Sequence, residues 1–356
     1  MAFDAVPPPA SHPPLQATAA SAPARLGLGL DVGGTSTRWA LADAAGRLHA
    51  QGDLPGFTAA LLGQPHGQQA AAEVMAALAA RVRGNGHPVG RPLVLGPVAA
   101  VCAGVTGTDR AGGALLRQML AKALAVPGVR IEITSDIEMA CQVAFAPGAG
   151  FLVYAGTGSI AGHVDAGGQF HRAGGRGGLI DDGGSAHWIA RQALRRIWRA
   201  EDAEPGAWRR SGMARRVLAD IAREAGEGVD LDNDLGDWAL TRHWIARASR
   251  GEIGLLARAV AAADGPAGSP LADADAAAIL DEAGRELARL ALALAQRFGP
   301  RPVALAGRAF LLSPRLAAAM SAALPDTLPV TQAPLAEEST AAGAARRAAR
   351  LMGEAA

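Results

Sequence analysis

Cysteine is scarce in this sequence, and its scarcity narrows the chemistry to consider. The chain has 2 cysteines, Cys102 and Cys141, which lie far apart and do not have the spacing of metal ligands. We therefore interpret them as buried free thiols. They give no indication of an oxidising compartment.

Long apolar runs and blocks of like charge are missing as well. No apolar stretch of about 18 residues is free of charges or helix breakers, and residues 1–24 do not combine a basic region with an apolar one. The formal net charge is +1, and the arginines are spread among acidic residues. We therefore expect a cytoplasmic protein that binds neither nucleic acid nor a membrane.

The chain itself is long and rich in apolar residues. It has 356 residues, of which 50% are hydrophobic, whereas a single core stops growing at about 250–300 residues. These numbers predict two lobes with separate cores. Residues 1–24 are rich in Pro, Ala and Ser, which is typical of a disordered tail.

The residues from Arg25 onward predict an α/β lobe. Two apolar runs, RLGLGLDVGG and TRWALADAAGRLHAQGDL, meet at a tight turn, and a hairpin turn at Ala45–Arg47 leads into a third strand. The other predicted elements are a helix over 66–84, a strand at Pro97–Gly107, a helix over 112–125 and a strand at Val129–Asp136. Three strands followed by alternating helices and strands indicate a mixed sheet.

The same order begins again at Gly148. Residues Gly148–Gly175 repeat an apolar strand, a Gly-Thr-Gly-Ser turn, a second strand, a turn at Ala166–Gly168 and a third strand. The patterns that follow are helical over about 184–198 and, with interruptions, 213–296, then a strand at Arg301–Gly307 and a last helix over about 338–352. The sequence therefore predicts an internal duplication.

Each half opens with a turn made of glycine and hydroxyl residues, DVGGTST in the first and AGTGS in the second. Such a turn presents backbone N–H and hydroxyl donors at one point and lets a ligand approach closely, which suits a phosphate. A plain β-hairpin explains one such turn equally well. Two turns in equivalent places favour a clamp for a polyphosphate between two lobes.

Four segments resemble those of a known family. LGLDVGGTSTRWALAD looks like a first phosphate loop, FLVYAGTGSIAG like a second, VALAGRAFLL like an adenosine segment, and GGRGGLIDDGGSAHWIA like a glycine-rich sugar motif. They are similar to segments of the N-acetylglucosamine kinase and BadF/BadG/BcrA/BcrD ATPase family, within the sugar kinase, actin and Hsp70 superfamily. The resemblance covers about residues 26–350.

The resemblance implies a two-lobed, actin-like α/β ATPase fold of the ribonuclease H-like type, with a duplicated βββαβαβα unit and an interlobe cleft. It implies an N-terminal lobe over 25–135, rejoined by a C-terminal helix at about 337–353, and a C-terminal lobe over 136–336 with a helical insertion. The implied reaction is phosphorylation of an amino sugar, N-acetylglucosamine or glucosamine, at the 6-hydroxyl, with ATP and Mg²⁺. A homodimer is possible.

The resemblance also implies roles for three aspartates. Asp109 matches the general base, which accepts the hydroxyl proton during phosphoryl transfer, although an aspartate in a Gly-Thr-Asp turn is more often a helix N-cap. Asp31 matches the acid that holds Mg²⁺ through water, a ligation that this ion favours. Asp136 either assists the metal or caps the following helix.

The remaining implied residues bind the two substrates. The nucleotide set is Gly33, Gly34, Thr35, Ser36, Ser135, Gly156, Thr157, Gly158, Ser159 and Gly307. The acceptor set is Asp109, Gly174, Gly175, Arg176 and Asp182. A carboxylate such as Asp182 accepts hydroxyl hydrogen bonds, but an acid near the helix after Gly184 also favours the helix dipole.

The chain departs from the family pattern where the sugar would bind. Relatives usually read Gly-Asp-Glu-Gly-Ser over 181–185, so Gly183 replaces a glutamate and Asp181 adds an acid. Arg176 stands where relatives have an aromatic residue. The loop Gly52–Gly63 has no asparagine, although relatives commonly use one there to bind the sugar. ATP is therefore more firmly indicated than N-acetylglucosamine. Arg176 either binds an acidic sugar such as N-acetylmuramate, or faces solvent or pairs with Asp181 or Asp182.

The sequence disfavours two other functions. A BadF-type reductase activator needs a cysteine just before an Ala-Gly-Thr-Gly turn to hold its iron–sulfur cluster, and FLVYAGTGS has none. A non-catalytic sugar sensor or repressor needs a DNA-reading module, and residues 1–24 are too short and proline-rich to provide one. Asp109 favours the enzyme.

Overall fold

The computed structural model describes residues 25–83, 96–225, 236–265, 272–332 and 339–352. Within these ranges the chain forms two five-stranded sheets with helices packed against them. The expected tail over residues 1–24 lies outside the described residues. No helix in the described ranges is long and apolar enough to cross a membrane.

The first sheet contains the first five strands of the chain. These are β1 (Leu26–Val32), β2 (Ser36–Ala42), β3 (Leu48–Pro55), β4 (Val98–Val105) and β5 (Ile131–Thr134). Their order is β3-β2-β1-β4-β5; β1–β2 and β2–β3 are antiparallel, whereas β1–β4 and β4–β5 are parallel. The helices of this half are α1 (Pro65–Val82) and α2 (Arg110–Leu124), both close to their predicted ranges.

The second sheet repeats this topology. After the connecting helix α3 (Asp136–Ala144) come β6 (Phe151–Ala155), β7 (Ser159–Val164), β8 (Phe170–Gly174), β9 (Val303–Ala306) and β10 (Val330–Gln332). Their order is β8-β7-β6-β9-β10, with the same two antiparallel and two parallel pairings. The predicted α/β class and the predicted duplication are therefore confirmed.

Most of the described residues between β8 and β9 are helical, and two more helices follow β9. They are α4 (Ala186–Ala203), α5 (Gly212–Ala225), α6 (Trp238–Ile245), α7 (Arg250–Leu255), α8 (Ala257–Asp264), α9 (Ala274–Phe298), α10 (Pro314–Ala322) and α11 (Thr340–Leu351). Buried side chains from α4, α5, α8 and α9 form one continuous core with β6 and β9. The sequence pattern did not predict α10 or the three-residue strand β10, because both are too short to repeat a hydrophobic period.

Matching turns close the second hairpin of each sheet. In DAAGRLH the Asp43 carboxylate contacts His49 Nε2 at 2.9 Å, and in DAGGQFH the Asp165 carboxylate contacts His171 Nε2 at 2.7 Å. Each turn also contains a glycine with positive φ, Gly46 in the first and Gly168 in the second. The duplication therefore extends to the side chains that hold these turns.

Helix α11 packs on the first sheet. A Cβ on Gly27 or Gly29 of β1 would collide with the backbone of α11. The facing residues of α11 are buried alanines, including Ala341 and Ala345. Glycine and alanine therefore let this helix approach the sheet more closely than larger residues would.

Candidate active site

The first Gly-Thr turn joins β1 to β2. The Gly33 N–H donates to the carbonyl of Ser36 at 2.9 Å and closes the turn. Gly34, Thr35 and Ser36 are exposed, and a Cβ on Gly34 would meet no atom within 4 Å. Behind the turn, Gly56 lies so close to its backbone that a Cβ there would collide. The turn is therefore supported on one side and open to a ligand on the other.

The second Gly-Thr turn joins β6 to β7 and is fastened to the start of α4. The Gly156 N–H donates to the carbonyl of Gly158 at 2.8 Å. The Gly156 carbonyl accepts a hydrogen bond from the Ala186 N–H at 2.9 Å. The Thr157 carbonyl accepts one from the His187 N–H at 3.4 Å. Any ligand on this turn is therefore held in a fixed relation to α4.

The same turn is joined to the glycine-rich loop between β8 and α4, which we call the acceptor loop (residues 175–185). Ser159 Oγ donates to the carbonyl of Gly183 at 2.7 Å. The carbonyl of Ser159 in turn accepts a hydrogen bond from the Gly175 N–H at 3.0 Å. One serine thus connects the predicted phosphate turn to two points of the acceptor loop.

Two carboxylates, one in β1 and one in α3, influence a tyrosine of the second sheet. Asp31 lies near the end of β1, and its pKa is raised by burial, an effect that Arg38 opposes and Asp136 reinforces. Burial also raises the pKa of Tyr154 in β6, and Asp31 and Asp136 raise it further. Arg308, after β9, acts in the opposite direction. The predicted metal ligands are therefore electrostatically coupled to the second sheet.

Asp136 is the first residue of α3. Its Oδ2 accepts a hydrogen bond from Thr106 Oγ1 at 2.7 Å, and its Oδ1 accepts one from the Ile137 N–H at 2.9 Å. The N-cap of α3 is Ser135, whose hydroxyl accepts a hydrogen bond from the Glu138 N–H at 3.2 Å. Ser135 therefore carries the helix cap, and the metal role of Asp136 stays a prediction.

Asp31 and Asp136 suit Mg²⁺ by their chemistry. Each raises the cost of ionising its neighbours, and a divalent cation would relieve that repulsion. Across the described ranges no group of three or more His, Cys, Asp or Glu residues forms a metal cage. Mg²⁺ does not need one, because it usually binds to one or two carboxylates together with substrate phosphates and water.

Asp109 lies directly before α2 and is its N-cap. Its Oδ1 accepts a hydrogen bond from the Gly112 N–H at 2.6 Å, and the residue is exposed. The residue type alone favoured this capping contact. The carboxylate keeps its second oxygen for another partner, so the cap is compatible with the implied role as a base, which stays a prediction.

Gly307 follows β9 with a φ of +98°. A Cβ at this position would also collide with the backbone of Ala155 at the end of β6. Conformation and close packing therefore both require glycine here. Its implied contact with adenosine stays a prediction.

Two predicted sugar residues with left-handed conformation lie where β8 meets the acceptor loop. Gly174 and Gly175 have φ values of +71° and +64°. Arg176 is exposed, and within the described residues it pairs with neither Asp181 nor Asp182. Of the alternatives for Arg176, internal pairing with these two acids is therefore wrong.

The two acids of the acceptor loop pair with arginines that were not among the predicted site residues. The buried Asp182 pairs with Arg250 at the start of α7. Asp181 Oδ2 accepts a hydrogen bond from Arg289 Nη2 of α9 at 2.8 Å. Glu286, also in α9, lies directly against Gly183. A carboxylate from another part of the chain thus occupies the space beside the residue that replaces the family's glutamate.

No local signal in the sequence could reveal these contacts. Arg250 and Arg289 lie in helices more than 65 positions after the acids with which they pair. Glu286 lies in the same helix as Arg289, and no motif includes any of the three. Thr106 is different, since it stands in AGVTGTDR at the end of a predicted strand. A hydroxyl at the end of a strand, near predicted metal ligands, is a signal that the sequence does contain.

The described residues form a duplicated α/β fold with a Gly-Thr turn at the equivalent place in each half. The chain belongs to the BadF/BadG/BcrA/BcrD ATPase family, whose model matches residues 28–348. Membership implies that the protein binds ATP. The sequence matches no curated protein.

Solved structures agree with this fold. A protein of Chromobacterium violaceum, provisionally named an N-acetylglucosamine kinase, is 25% identical with a TM-score of 0.62, over 90% of this chain and 98% of that one. A protein of Porphyromonas gingivalis with the same provisional name is 16% identical and has a TM-score of 0.55. The match covers 86% of this chain and 95% of that one. A ROK hexokinase of Thermus thermophilus is 18% identical and has a TM-score of 0.53. The match covers 93% of this chain and 100% of that one.

Proposed function

We propose that this protein is an ATP-dependent sugar kinase whose acceptor is an amino sugar, N-acetylglucosamine or glucosamine, phosphorylated at the 6-hydroxyl. The observation that carries the proposal is the pair of Gly-Thr turns at equivalent ends of two duplicated sheets, next to Asp31 and Asp136. The likeness to the Chromobacterium violaceum protein, at 25% identity over 90% of this chain, supports the same reaction.

The proposed reaction distributes its tasks among residues of both halves. The two turns hold the phosphates of ATP through backbone N–H and hydroxyl groups. Asp31 and Asp136 hold Mg²⁺, which neutralises phosphate charge when it is bound. Asp109 accepts the proton of the sugar hydroxyl as that oxygen bonds to the γ-phosphorus. The bond from the γ-phosphorus to the bridging oxygen breaks, and ADP leaves.

The acceptor loop supplies the proposed sugar contacts, with Asp182 as the acceptor of sugar hydroxyls. A site that uses a carboxylate in this way discriminates against analogues that lack the hydroxyl. Arg176 faces solvent without pairing to Asp181 or Asp182, which leaves its guanidinium available to an acidic substituent. An acidic sugar such as N-acetylmuramate is therefore the second candidate acceptor, after a neutral amino sugar.

A reductase activator is disfavoured by the environment of the cysteines. Cys102 and Cys141 are buried and free, as the sequence analysis predicted. Burial, with a smaller effect of Glu132, raises the pKa of Cys102 to about 12, and burial raises that of Cys141 as well. Thiols that resist ionisation are poor ligands for iron.

The lobe boundaries and the cellular setting belong to the same proposal. We place the N-terminal lobe at 25–135, joined by the C-terminal helix at about 337–353, and the second lobe at 136–336. The packing of α11 on β1 supports this division. We further propose that the enzyme works in the cytoplasm, where ATP and Mg²⁺ are available. We also propose that it forms a homodimer.

An ATP-consumption screen tests the function. The acceptors are N-acetylglucosamine, glucosamine, N-acetylmannosamine, N-acetylmuramate, glucose and none, with the sugar phosphate identified by mass spectrometry. We expect ATP consumption that depends on an amino sugar and yields one phosphate ester. Hydrolysis of ATP at the same rate with and without sugars, and no ester, would contradict the proposal.

A second measurement separates the two candidate acceptors. We expect Arg176→Ala to change kcat/KM equally for neutral and acidic sugars if N-acetylglucosamine or glucosamine is the substrate. A preference for N-acetylmuramate that this substitution abolishes would identify the acidic sugar instead.

A further inference from the structure

Arg250 reaches the candidate site from the helical insertion. It is the first residue of α7, and the residue before it, Ser249, caps the helix together with Glu252 in a capping box. The Ser249 N–H donates to Glu252 Oε2 at 2.6 Å. This cap fixes the start of α7, and α7 packs against α4. The backbone that carries Arg250 is therefore anchored beside the second Gly-Thr turn.

The guanidinium of Arg250 lies among three segments of the site. It pairs with Asp182, whose side chain is only 3% exposed. A Cβ on Gly158 of the second Gly-Thr turn would collide with its Nη2. A Cβ on Gly178 of the acceptor loop would lie 3.3 Å from its Nε. The charge of Arg250 thus stands between the proposed phosphate site and the proposed sugar site.

The ion pair leaves most of this arginine's hydrogen-bonding capacity unused. A guanidinium has five N–H donors in a planar fork, and among the described residues only Nη2 of Arg250 has a partner. The side chain remains 43% exposed. A buried carboxylate needs a partner, so Asp182 accounts for one donor. The other donors stay free for a ligand that enters between Gly158 and the acceptor loop.

We propose that Arg250 binds the phosphoryl group during its transfer from ATP to the sugar. This inference rests on the proposed kinase function. As the acceptor oxygen bonds to the γ-phosphorus and the bond to ADP breaks, Arg250 donates hydrogen bonds to the non-bridging oxygens, and Asp109 takes the proton. A guanidinium suits this task because its charge and fork match a phosphoryl group. Asp182 positions Arg250 and contacts the sugar.

Three variants test the role. Arg250→Ala removes the guanidinium, Arg250→Lys keeps one positive charge without the fork, and Arg247→Ala removes an exposed arginine of the same insertion as a matched control. Each is assayed with the acceptor found for the wild type, for kcat, for KM of both substrates and for Tm. The Lys variant maintains a cationic partner for Asp182, which keeps the test valid if Arg250→Ala folds poorly.

We expect kcat to fall about 10²–10³-fold in Arg250→Ala and less in Arg250→Lys, with both KM values within about threefold of the wild type. Millimolar guanidinium should restore part of the lost kcat in Arg250→Ala and none in Arg247→Ala, whose kcat should equal that of the wild type. A purely structural role for Arg250 would lower Tm without rescue by guanidinium.

Two results would overturn the inference alone while the kinase function stands. One is an unchanged kcat in both Arg250 variants. The other is a raised KM for the sugar with kcat preserved, which would make Arg250 an acceptor-binding residue. A wild-type protein that phosphorylates none of the sugars would overturn the inference together with the proposed function.

Discussion

Thr106 connects the end of β1 to the start of α3. Its hydroxyl donates to Asp136 Oδ2 at 2.7 Å, and its backbone N–H donates to the carbonyl of Val32 at 2.9 Å. Val32 follows Asp31 directly. A single residue therefore fixes the relation between the two carboxylates that we propose as Mg²⁺ ligands.

Thr106→Val should weaken Mg²⁺ binding without unfolding the protein. The substitution keeps the shape of the side chain and the backbone hydrogen bond but leaves Asp136 without its hydroxyl donor. Residues that orient metal ligands typically contribute about 10–100-fold to metal affinity. Titration of activity with Mg²⁺ should show a half-saturating concentration raised by that factor. Thr331→Val, which removes a hydroxyl from β10, is the control; equal Mg²⁺ curves for both variants would refute the role of Thr106.

Asp109→Asn should separate catalysis from helix capping. Asparagine caps helices about as well as aspartate but cannot accept the proton, so kcat should fall about 10²–10⁴-fold while Tm and nucleotide affinity stay close to the wild type. Asp109→Ala should lower kcat and Tm together. Asp237→Asn, at the N-cap of α6, should change neither. If Asp109→Asn retained half of the wild-type kcat, another residue would be the base.

Much of the fold could be predicted because its signals are local. Short stretches of sequence contain the helical period of buried residues in α1 and the turn residues around β1, β2 and β3. The repeat of the strand and turn pattern predicted the second sheet. The strand predicted at Val129–Asp136 is longer than β5, which spans Ile131–Thr134. The strand predicted to reach Asp136 ends at Thr134, because Ser135 caps α3 and turns the chain into a helix.

The site was only partly predictable because its contacts combine distant segments. The sequence selected Asp182 and Gly158 but could not reveal that Arg250 lies against both. The sequence showed that Gly183 stands where relatives have a glutamate. It could not show that the carboxylate of Glu286 lies beside this glycine. Ion pairs of this kind depend on how helices pack, and no spacing within a motif encodes them.

Two glycines of the first half should respond differently to alanine. Gly29→Ala places a methyl group on the backbone of α11, and overpacking of this kind costs about 1–3 kcal/mol of the free energy of unfolding. Gly34→Ala has open space around its Cβ, so we expect an unchanged Tm but weaker ATP binding. Thermal melts with and without ATP, together with calorimetric titration, distinguish the two. Tight ATP binding by Gly34→Ala would show that no phosphate approaches this turn.

The two Asp–His turns predict a pH dependence of stability. The contact with His171 lowers the pKa of Asp165, and hydrogen bonds from His49 and Arg47 lower that of Asp43. A lowered carboxyl pKa stabilises the folded state above the ordinary value of about 3.9, and this stabilisation is lost as the pH falls through the folded-state pKa. Asp43→Asn and Asp165→Asn should therefore have a lower Tm than the wild type at pH 6.

The Tm of the same variants at acid pH tests whether the charge of the two aspartates stabilises the turns. The difference in Tm between each variant and the wild type should shrink as the pH falls below about 4. Asp326→Asn, which alters an exposed carboxylate, should follow the wild-type curve throughout. A difference that stays constant with pH would mean that the turns are held by shape and not by the charge of Asp43 and Asp165.

The position of α11 has a consequence for the order in which the protein is made. Synthesis completes β1 at residue 32, but the alanine face that covers it is not made until residues 340–351. Until then Gly27, Gly29 and the neighbouring strands present an uncovered sheet face. Contacts over such a separation form slowly, so a growing chain stays exposed to wrong pairing and to chaperones until α11 has been made.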